Sequence, residues 1–551
     1  MHSNILVRAA LVILILTANS SFSASDFEIS ELTRGHQRTS DYLDSIRDNR
    51  PLLETFMNQL PKGGNLHHRF MGAIEPKEVI DIAIERGFCM YNNQYMAPCD
   101  CCAQSVKDYV SNEENHAALI KQLMLPDGHD PDEVRNYFLM VKALFDGIDA
   151  RFISYVRKKA AVDGLSYIES TVYFDEANGP DKLFSLITHL PTPNPDSTQS
   201  LEDFRARLSS QSDFQTQLKT AAGKIANALK ASDDHLNCSH SHSHPACSVS
   251  VRFLHEVHRA DPLPQVYAQM IFAFELAQLS LSGNDHQVLG INIAGSENSD
   301  RALNDYLSHM KMLSFLKNHK QYPLVKERIS LNAGELAKAT VEDFYYRTAM
   351  ADAVQIVQPK RVGHGLSFMA QNCLKQSDSG NEEYANCSAE LLKTMLDNDI
   401  AVEIPLTSNR RLSGIGANSG HPFPVYVSSN IAVTLATDYP GILKVDLTSQ
   451  FVEAVSSFSP DQTGNSIHLS LDQIIDFARN SLEYSFLPGQ SLWLKSESHV
   501  RYQKRVPACL DLESEACKKF VSGNTKARFQ RDHESRLKDF MLTVPVLSKK
   551  P

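Results

Sequence analysis

The chain carries no excess of positive charge: 54 Lys and Arg stand against 65 Asp and Glu, a formal net charge of −11 over 551 residues. Phosphate backbones are gripped by clustered cationic side chains, so nucleic acid is excluded as the expected partner. The C-terminal stretch is locally basic through Lys504, Arg505, Lys518, Lys519, Lys526, Arg528 and Arg531, but Glu513, Glu515, Asp532 and Glu534 are interleaved with them. That mixture reads as a solvated helical surface. A membrane-spanning run is also lacking. Ala9 to Ala18 is apolar but too short for a comfortable span, and no later segment qualifies, which excludes a span in the mature chain. No internal repeat is found either.

What is present at the N-terminus reads as an export signal. Arg8 precedes the apolar run, and the small residues Ser20, Ser21, Ser23 and Ala24 follow it. Residues 1–24 are therefore expected to be a signal peptide, with the mature protein secreted or periplasmic. Ten cysteines agree, because an even count in an exported chain suggests disulfides. Local spacing offers Cys238 with Cys247, Cys373 with Cys387 and Cys509 with Cys517, and leaves Cys89, Cys99, Cys101 and Cys102 in one region. The run Cys99-Asp100-Cys101-Cys102 could instead hold a metal, but a second spaced Cys/His pair is missing. The loop from Cys238 to Cys247, with His240, His242 and His244, is either a disulfide-tied polar loop or a metal-capturing one.

Along the chain, short β-rich runs alternate with longer helical stretches. Candidate strands are Gly64 to Phe70, Ser166 to Thr171, Ser248 to Leu254, Val288 to Ala294, Arg328 to Asn332, Arg361 to His364, Ala401 to Pro405 and Ala432 to Thr437. Helical spacing marks Pro264 to Leu281, Asp300 to Leu316, Val341 to Val357 and Ser388 to Leu396 between them. Eight strands alternating with helices predict an α/β fold, a (β/α)8 TIM barrel, over residues 61–486. A doubly wound sheet has the same pattern, but the polar residues fall at several strand ends and not in one Gly-rich turn. Residues 25–60 read as a helical N-terminal extension, 88–162 and 191–247 as insertions, and 487–551 as a C-terminal extension. Within the second insertion, a long polar helix is predicted from Leu201 to Ala231.

Four strand ends carry chemistry. They are His67-His68-Arg69, Asn332-Ala333-Gly334-Glu335, Gly363-His364-Gly365 and Thr437-Asp438-Tyr439. Each alone reads as a turn or cap; their joint placement on barrel strands reads as a site. On a regular strand, alternate side chains share a face, so positions 67 and 69 point together and His68 points away. A His-x-His pair there would chelate zinc, whereas His67-His68-Arg69 supplies one ligand and a cation.

With Leu60-Pro61-Lys62-Gly63-Gly64, Gly290-Ile291-Asn292-Ile293-Ala294-Gly295 and Arg361-Val362-Gly363-His364-Gly365, these motifs resemble, in order from Leu60 to Gln450, those of the adenosine deaminase family. The similarity extends to its exported, growth-factor-like branch. The resemblance implies a zinc held by three histidines and an aspartate, a metal-bound water attacking the amino-bearing purine carbon, and conversion of adenosine to inosine. Carried over, His67 matches the first zinc histidine and Asp438 the zinc aspartate. Glu335 matches the proton donor and His364 the catalytic histidine. Gly295, Gly334 and Tyr439 stand at substrate-contacting positions, so the implied ligand is a small purine nucleoside. Thr407-Ser408-Asn409 and His421-Pro422-Phe423-Pro424 resemble family pocket residues and read equally as loop packing.

Three positions depart from the pattern. Arg69 stands in place of the second zinc histidine, Asn332 in place of the third, and Tyr439 in place of a second aspartate. Arginine does not deprotonate to become a ligand, and an amide oxygen prefers harder ions than zinc. The changes together predict that the Arg69 guanidinium takes the metal's place and pairs with Asp438. Three functions stay open: a deaminase with an altered metal site, a non-catalytic purine-nucleoside-binding or regulatory protein, and a metal-free hydrolase or lyase using Glu335 and His364.

Overall fold

The computed structural model describes residues 24–93, 95–100, 103–124, 148–173, 180–239, 244–283, 286–335, 343–376, 382–458, 466–495 and 501–547. Residues 1–23 of the expected signal peptide, His240 and His242 of the His-rich loop, and Cys101 and Cys102 lie outside them.

Eight parallel strands make the barrel: β1 (Gly64–Arg69), β2 (Tyr167–Val172), β3 (Ser250–His258), β4 (Val288–Ala294), β5 (Ile329–Ala333), β6 (Arg361–His364), β7 (Ala401–Ile404) and β8 (Val433–Leu435). They neighbour one another in chain order. The ring closes just beyond β8, where His68 and Asp438 form a parallel bridge. There Arg69 N–H donates to the Asp438 carbonyl at 2.7 Å and Asp438 N–H donates to the His67 carbonyl at 2.9 Å. The residues that close the barrel are therefore two of its suspected site positions and the arginine beside them.

Parallel strands covered on both faces read as apolar runs, and β4 is buried at every residue. Between β3 and β4, the helix Leu263–Ser282 buries Val266 to Phe274 without a break, wedged between the sheet and its outer helices. The stretch after β5 is helical over Asp343–Asp352 and continues as a π-helical turn over Ala353–Val357.

One polar column runs through the barrel interior. Arg361 on β6 is fully buried; it donates to Glu169 on β2 at 2.6 Å and to Glu403 on β7, and stacks over Phe486. Two carboxylates on one guanidinium satisfy the rule that a buried charge must be paired. The column passes through Glu403 to the barrel mouth.

The extensions differ in detail from the reading above. Helices Ala24–Ile46 and Arg50–Gln59 form the N-terminal extension, the second capped by Asn49, whose side chain accepts from Leu52 N–H at 3.3 Å. Phe56 meets Phe540 of the C-terminal helix Thr525–Leu547 edge-on at 5.3 Å, so the two ends of the chain pack together. The predicted single helix from Leu201 to Ala231 is two, Thr198–Ser209 and Ser212–His235. The second begins anew at Gln211 and buries its own stripe of Phe214, Leu218, Ala221 and Ile225. The cysteine segment folds as a small antiparallel sheet of Phe88–Tyr91, Tyr95–Pro98 and Gln104–Ser105, with Cys89 bonded to Cys99. Cys99 is thus taken by a disulfide and not by a metal. Cys238–Cys247, Cys373–Cys387 and Cys509–Cys517 pair as local spacing suggested.

Candidate functional site

The ends of β1, β6 and β8 deliver three side chains to one buried point. His67 turns inward, its Nδ1 2.8 Å from Glu403 Oε2 and its Nε2 3.5 Å from Asp438 Oδ1. Its ring meets that of His364 edge-on, with centroids 4.9 Å apart. Among the described residues, His67, His364 and Asp438 are the group whose ligand-type atoms lie within 4.8 Å of one another, and all three are buried. Asp438 and His364 both hold left-handed backbone, φ +58° and +66°. Residues other than glycine keep that conformation at a cost that surrounding structure must support, as happens at functional sites.

Arg69 enters the same point. Its Nη1 donates to Glu256 Oε2 at 2.9 Å, and its Nε lies 3.4 Å from Asp438 Oδ1. The other oxygen of Asp438 accepts from Ser408 Oγ at 2.6 Å. His67 Nε2, Arg69 Nε and Asp438 Oδ1 are buried without a hydrogen bond, so charge at 3.4–3.5 Å is what binds the three together. Burial alone would raise the Asp438 pKa, but the His67 contact and the Arg69 charge outweigh it and hold the carboxyl well below its ordinary value. Burial likewise opposes ionisation of Glu256, and Arg69 overrides it, bringing that carboxyl down to about 2. In His67, desolvation disfavours the cation, yet the carboxylates of Asp438 and Glu403 prevail and raise it to about 9.

A register irregularity lies in β1 between Asn65 and His68, where the sequence reading took a regular strand. The bulge does not carry His68 into the cluster. Its Nδ1 lies 2.8 Å from Ser170 Oγ on β2, and burial lowers its pKa to about 4.

Glu335 stands at the edge of the cluster, its Oε2 3.7 Å from His364 Nε2. Its backbone N–H donates to Glu297 Oε2 at 2.8 Å, and the Gly334 N–H donates to Glu297 Oε1 at 3.1 Å. Asn332 Oδ1 accepts from Asn292 Nδ2 at 3.3 Å. A Cβ at Gly363 would come within 2.8 Å of both Asn332 Oδ1 and a His67 ring carbon, so only glycine fits between them. Tyr439 lies beside the Arg69 guanidinium, 5.8 Å to the ring centroid, in space that a Cβ at Gly72 would close. Gly295 follows β4 with φ +87°, nearest to Arg259 and His258.

Sequence reasoning missed Glu256 and Glu403, although each left a signal. Both are carboxylates inside barrel strands, and in β7 Glu403 interrupts an otherwise apolar run. The Ser408-Asn409 and His421 segments, left open between pocket and packing, meet the site: Ser408 binds Asp438, and Asn409 lies 2.7 Å from His364.

Residues 232–494 match the family model described as adenosine deaminase. Over that stretch the chain belongs to the adenosine deaminase family. The match takes in β3 to β8, with Glu335, His364 and Asp438, and begins after β1. An adenosine deaminase of Aliivibrio fischeri is 23% identical over 219 residues, 39% of this chain and 53% of that protein. An adenine deaminase of Rhizobium rhizogenes is 23% identical over 214 residues, 38% of this chain and 52% of that protein. The chain thus spans about half the length of these curated relatives. A crystal structure of Arabidopsis ADAL complexed with IMP covers 88% of this chain and 99% of its own, at 15% identity and a TM-score of 0.47.

Proposed function

We propose that this protein is an exported, metal-free member of the adenosine deaminase family that binds a purine nucleoside at the barrel mouth and does not carry out zinc-dependent deamination. One observation carries the reading: the Arg69 guanidinium is fixed between Glu256, at 2.9 Å, and Asp438, at 3.4 Å. A zinc ion on Asp438 Oδ1 would sit about 2 Å from that oxygen, beside a cation that never gives up its proton. The remaining donors are one carboxylate and two histidines, and Asn332 is already bonded to Asn292. This set does not fit the family's zinc, and no catalytic step is derived through one. Export is supported by the four disulfides among the described residues, which persist in oxidising compartments.

A second reading, residual hydrolysis, has its own observation. Glu335 and His364, an acid and a base by family resemblance, remain 3.7 Å apart, and Glu335 is only partly buried. Following the adenosine-to-inosine absorbance change in the purified protein separates the two. No inosine is expected, together with a nucleoside-dependent thermal shift; a ligand at 100 times its Kd adds about 2.7 kcal/mol of stability. Turnover that survives a chelator would favour the second reading. Absence of any nucleoside shift would remove the purine assignment.

A further inference from the structure

The proton on His364 is placed by groups outside the cluster. His421 Nδ1 accepts from the Phe423 backbone N–H at 3.0 Å, so a neutral His421 ring carries its own proton on Nε2. Burial keeps that ring neutral, with its pKa lowered to about 3. His421 Nε2 faces the Asn409 amide at 2.9 Å, and the other side of that amide faces His364 Nδ1 at 2.7 Å. With Asn409 Nδ2 toward His421, two donors would meet. The reversed amide satisfies both contacts: its oxygen accepts from His421 Nε2–H, and its NH2 donates to His364 Nδ1. His364 Nδ1 is then an acceptor, and the His364 proton sits on Nε2. That nitrogen lies 3.7 Å from the Glu335 carboxylate, as an N–H facing an acceptor should. Asn409 and His421 are fully buried, and His364 nearly so, which leaves the chain of bonds no water to substitute.

We propose that Asn409 and His421 are positioning residues that fix His364 as an N–H donor beside the Glu335 acceptor, and that the site therefore selects 6-oxopurine nucleosides over 6-aminopurine ones. A 6-oxopurine presents a carbonyl oxygen next to a ring N–H, which pairs with a donor and a carboxylate side by side. Adenosine presents the reverse, a ring acceptor nitrogen next to an amino donor, and would leave the two protein groups facing like partners. This inference rests on the purine-nucleoside reading above.

Titration of the full chain with inosine and with adenosine tests it, alongside long-range proton–nitrogen correlation spectra of protein labelled at histidine. Inosine is expected to bind about ten- to a hundredfold more tightly, the effect of one mismatched buried hydrogen bond, and His364 to show the Nε2–H tautomer. Asn409→Asp, which can accept from both rings, should move the His364 proton to Nδ1 and erase the preference. Equal or tighter adenosine binding, or an Nδ1–H tautomer in the unaltered protein, overturns this inference and leaves nucleoside binding intact. If neither nucleoside binds, both it and the reading beneath it fall.

Discussion

Replacing Arg69 and Asn332 together by histidine should convert this barrel into a zinc protein, and the size of the change follows from the cluster geometry. A zinc on Asp438 would lie near 4 Å from the guanidinium that stands 3.4 Å from Oδ1. At an effective dielectric of 20, a dication and a monocation at that distance repel by about 8 kcal/mol. Zinc binding to a full protein site is worth roughly 10–16 kcal/mol, so the repulsion alone leaves about 2–8 kcal/mol. That corresponds to a Kd between tens of millimolar and about a micromolar, before any lost ligand is counted. Dialysis against metal-free buffer should therefore leave the natural protein with well under one equivalent of zinc by elemental analysis. The Arg69→His/Asn332→His variant removes the cation and supplies two imidazoles, and should retain about one equivalent and show a zinc-dependent rise in melting temperature. Arg69→His alone should fall between the two. Stoichiometric zinc in the dialysed natural protein would refute the reasoning. A folded double variant that holds no zinc would show that something other than Arg69 keeps the metal out.

Two further outcomes follow from groups around the site. Burial and the nearby Glu335 raise the Glu297 carboxyl from an ordinary value of 4.5 to about 7 against the pull of Arg259. The folded state thus holds a proton that the unfolded state releases, and stability should fall as pH rises from about 4.5 to 7, by roughly 3 kcal/mol, then level off. Glu297→Gln should flatten that slope in denaturant titrations at several pH values, and an unchanged slope would rule Glu297 out as its source. The Cys373–Cys387 bond closes a loop with a sequence separation of 14, so the double serine variant should lose about 3 kcal/mol in denaturant unfolding. A loss below about 1 kcal/mol would mean that the bond constrains the unfolded chain far less than loop closure predicts.

The barrel strands were legible because burial on both faces leaves a plain trace. A parallel strand under helices is apolar along most of its length, and Val288–Ala294, apolar but for Asn292, is found where that run put it. Strand ends moved by a residue or two, as with Ile329–Ala333 read as Arg328 to Asn332, since chain composition does not mark where a ladder stops. The break at Ser210–Gln211 was missed for a different reason. Helical spacing persists on both sides of it, and the new helix starts because Phe214 and Leu218 have their own packing surface, a tertiary fact. Pairing of Cys89 with Cys99 likewise needed the small sheet that brings strands Phe88–Tyr91 and Tyr95–Pro98 alongside one another.

At the site, the sequence carried the residue types and the fold supplied their partners. Asp438 and Arg69 were expected to pair, but nothing local tied Glu256, on β3, to Arg69, on β1, because that contact depends on the barrel's curvature. The full partner list shows which groups compensate the buried Asp438 carboxylate. Arg69 contributes one positive charge, and His67, raised to about 9, contributes a second at neutral pH. Two organic cations thus bring to this carboxylate the charge that a zinc ion would bring. A metal arriving at pH 7 would have to displace the His67 proton at a cost of about 3 kcal/mol, on top of the repulsion from Arg69. Glu256 and Glu403 matter for the same reason: each neutralises the far side of one organic cation. Without them, two positive groups flanking one carboxylate would leave an unpaired buried charge. Arg69 is therefore one part of a buried charge network that runs on through Glu403 to Arg361, and single changes within it should disturb stability before they create any metal site.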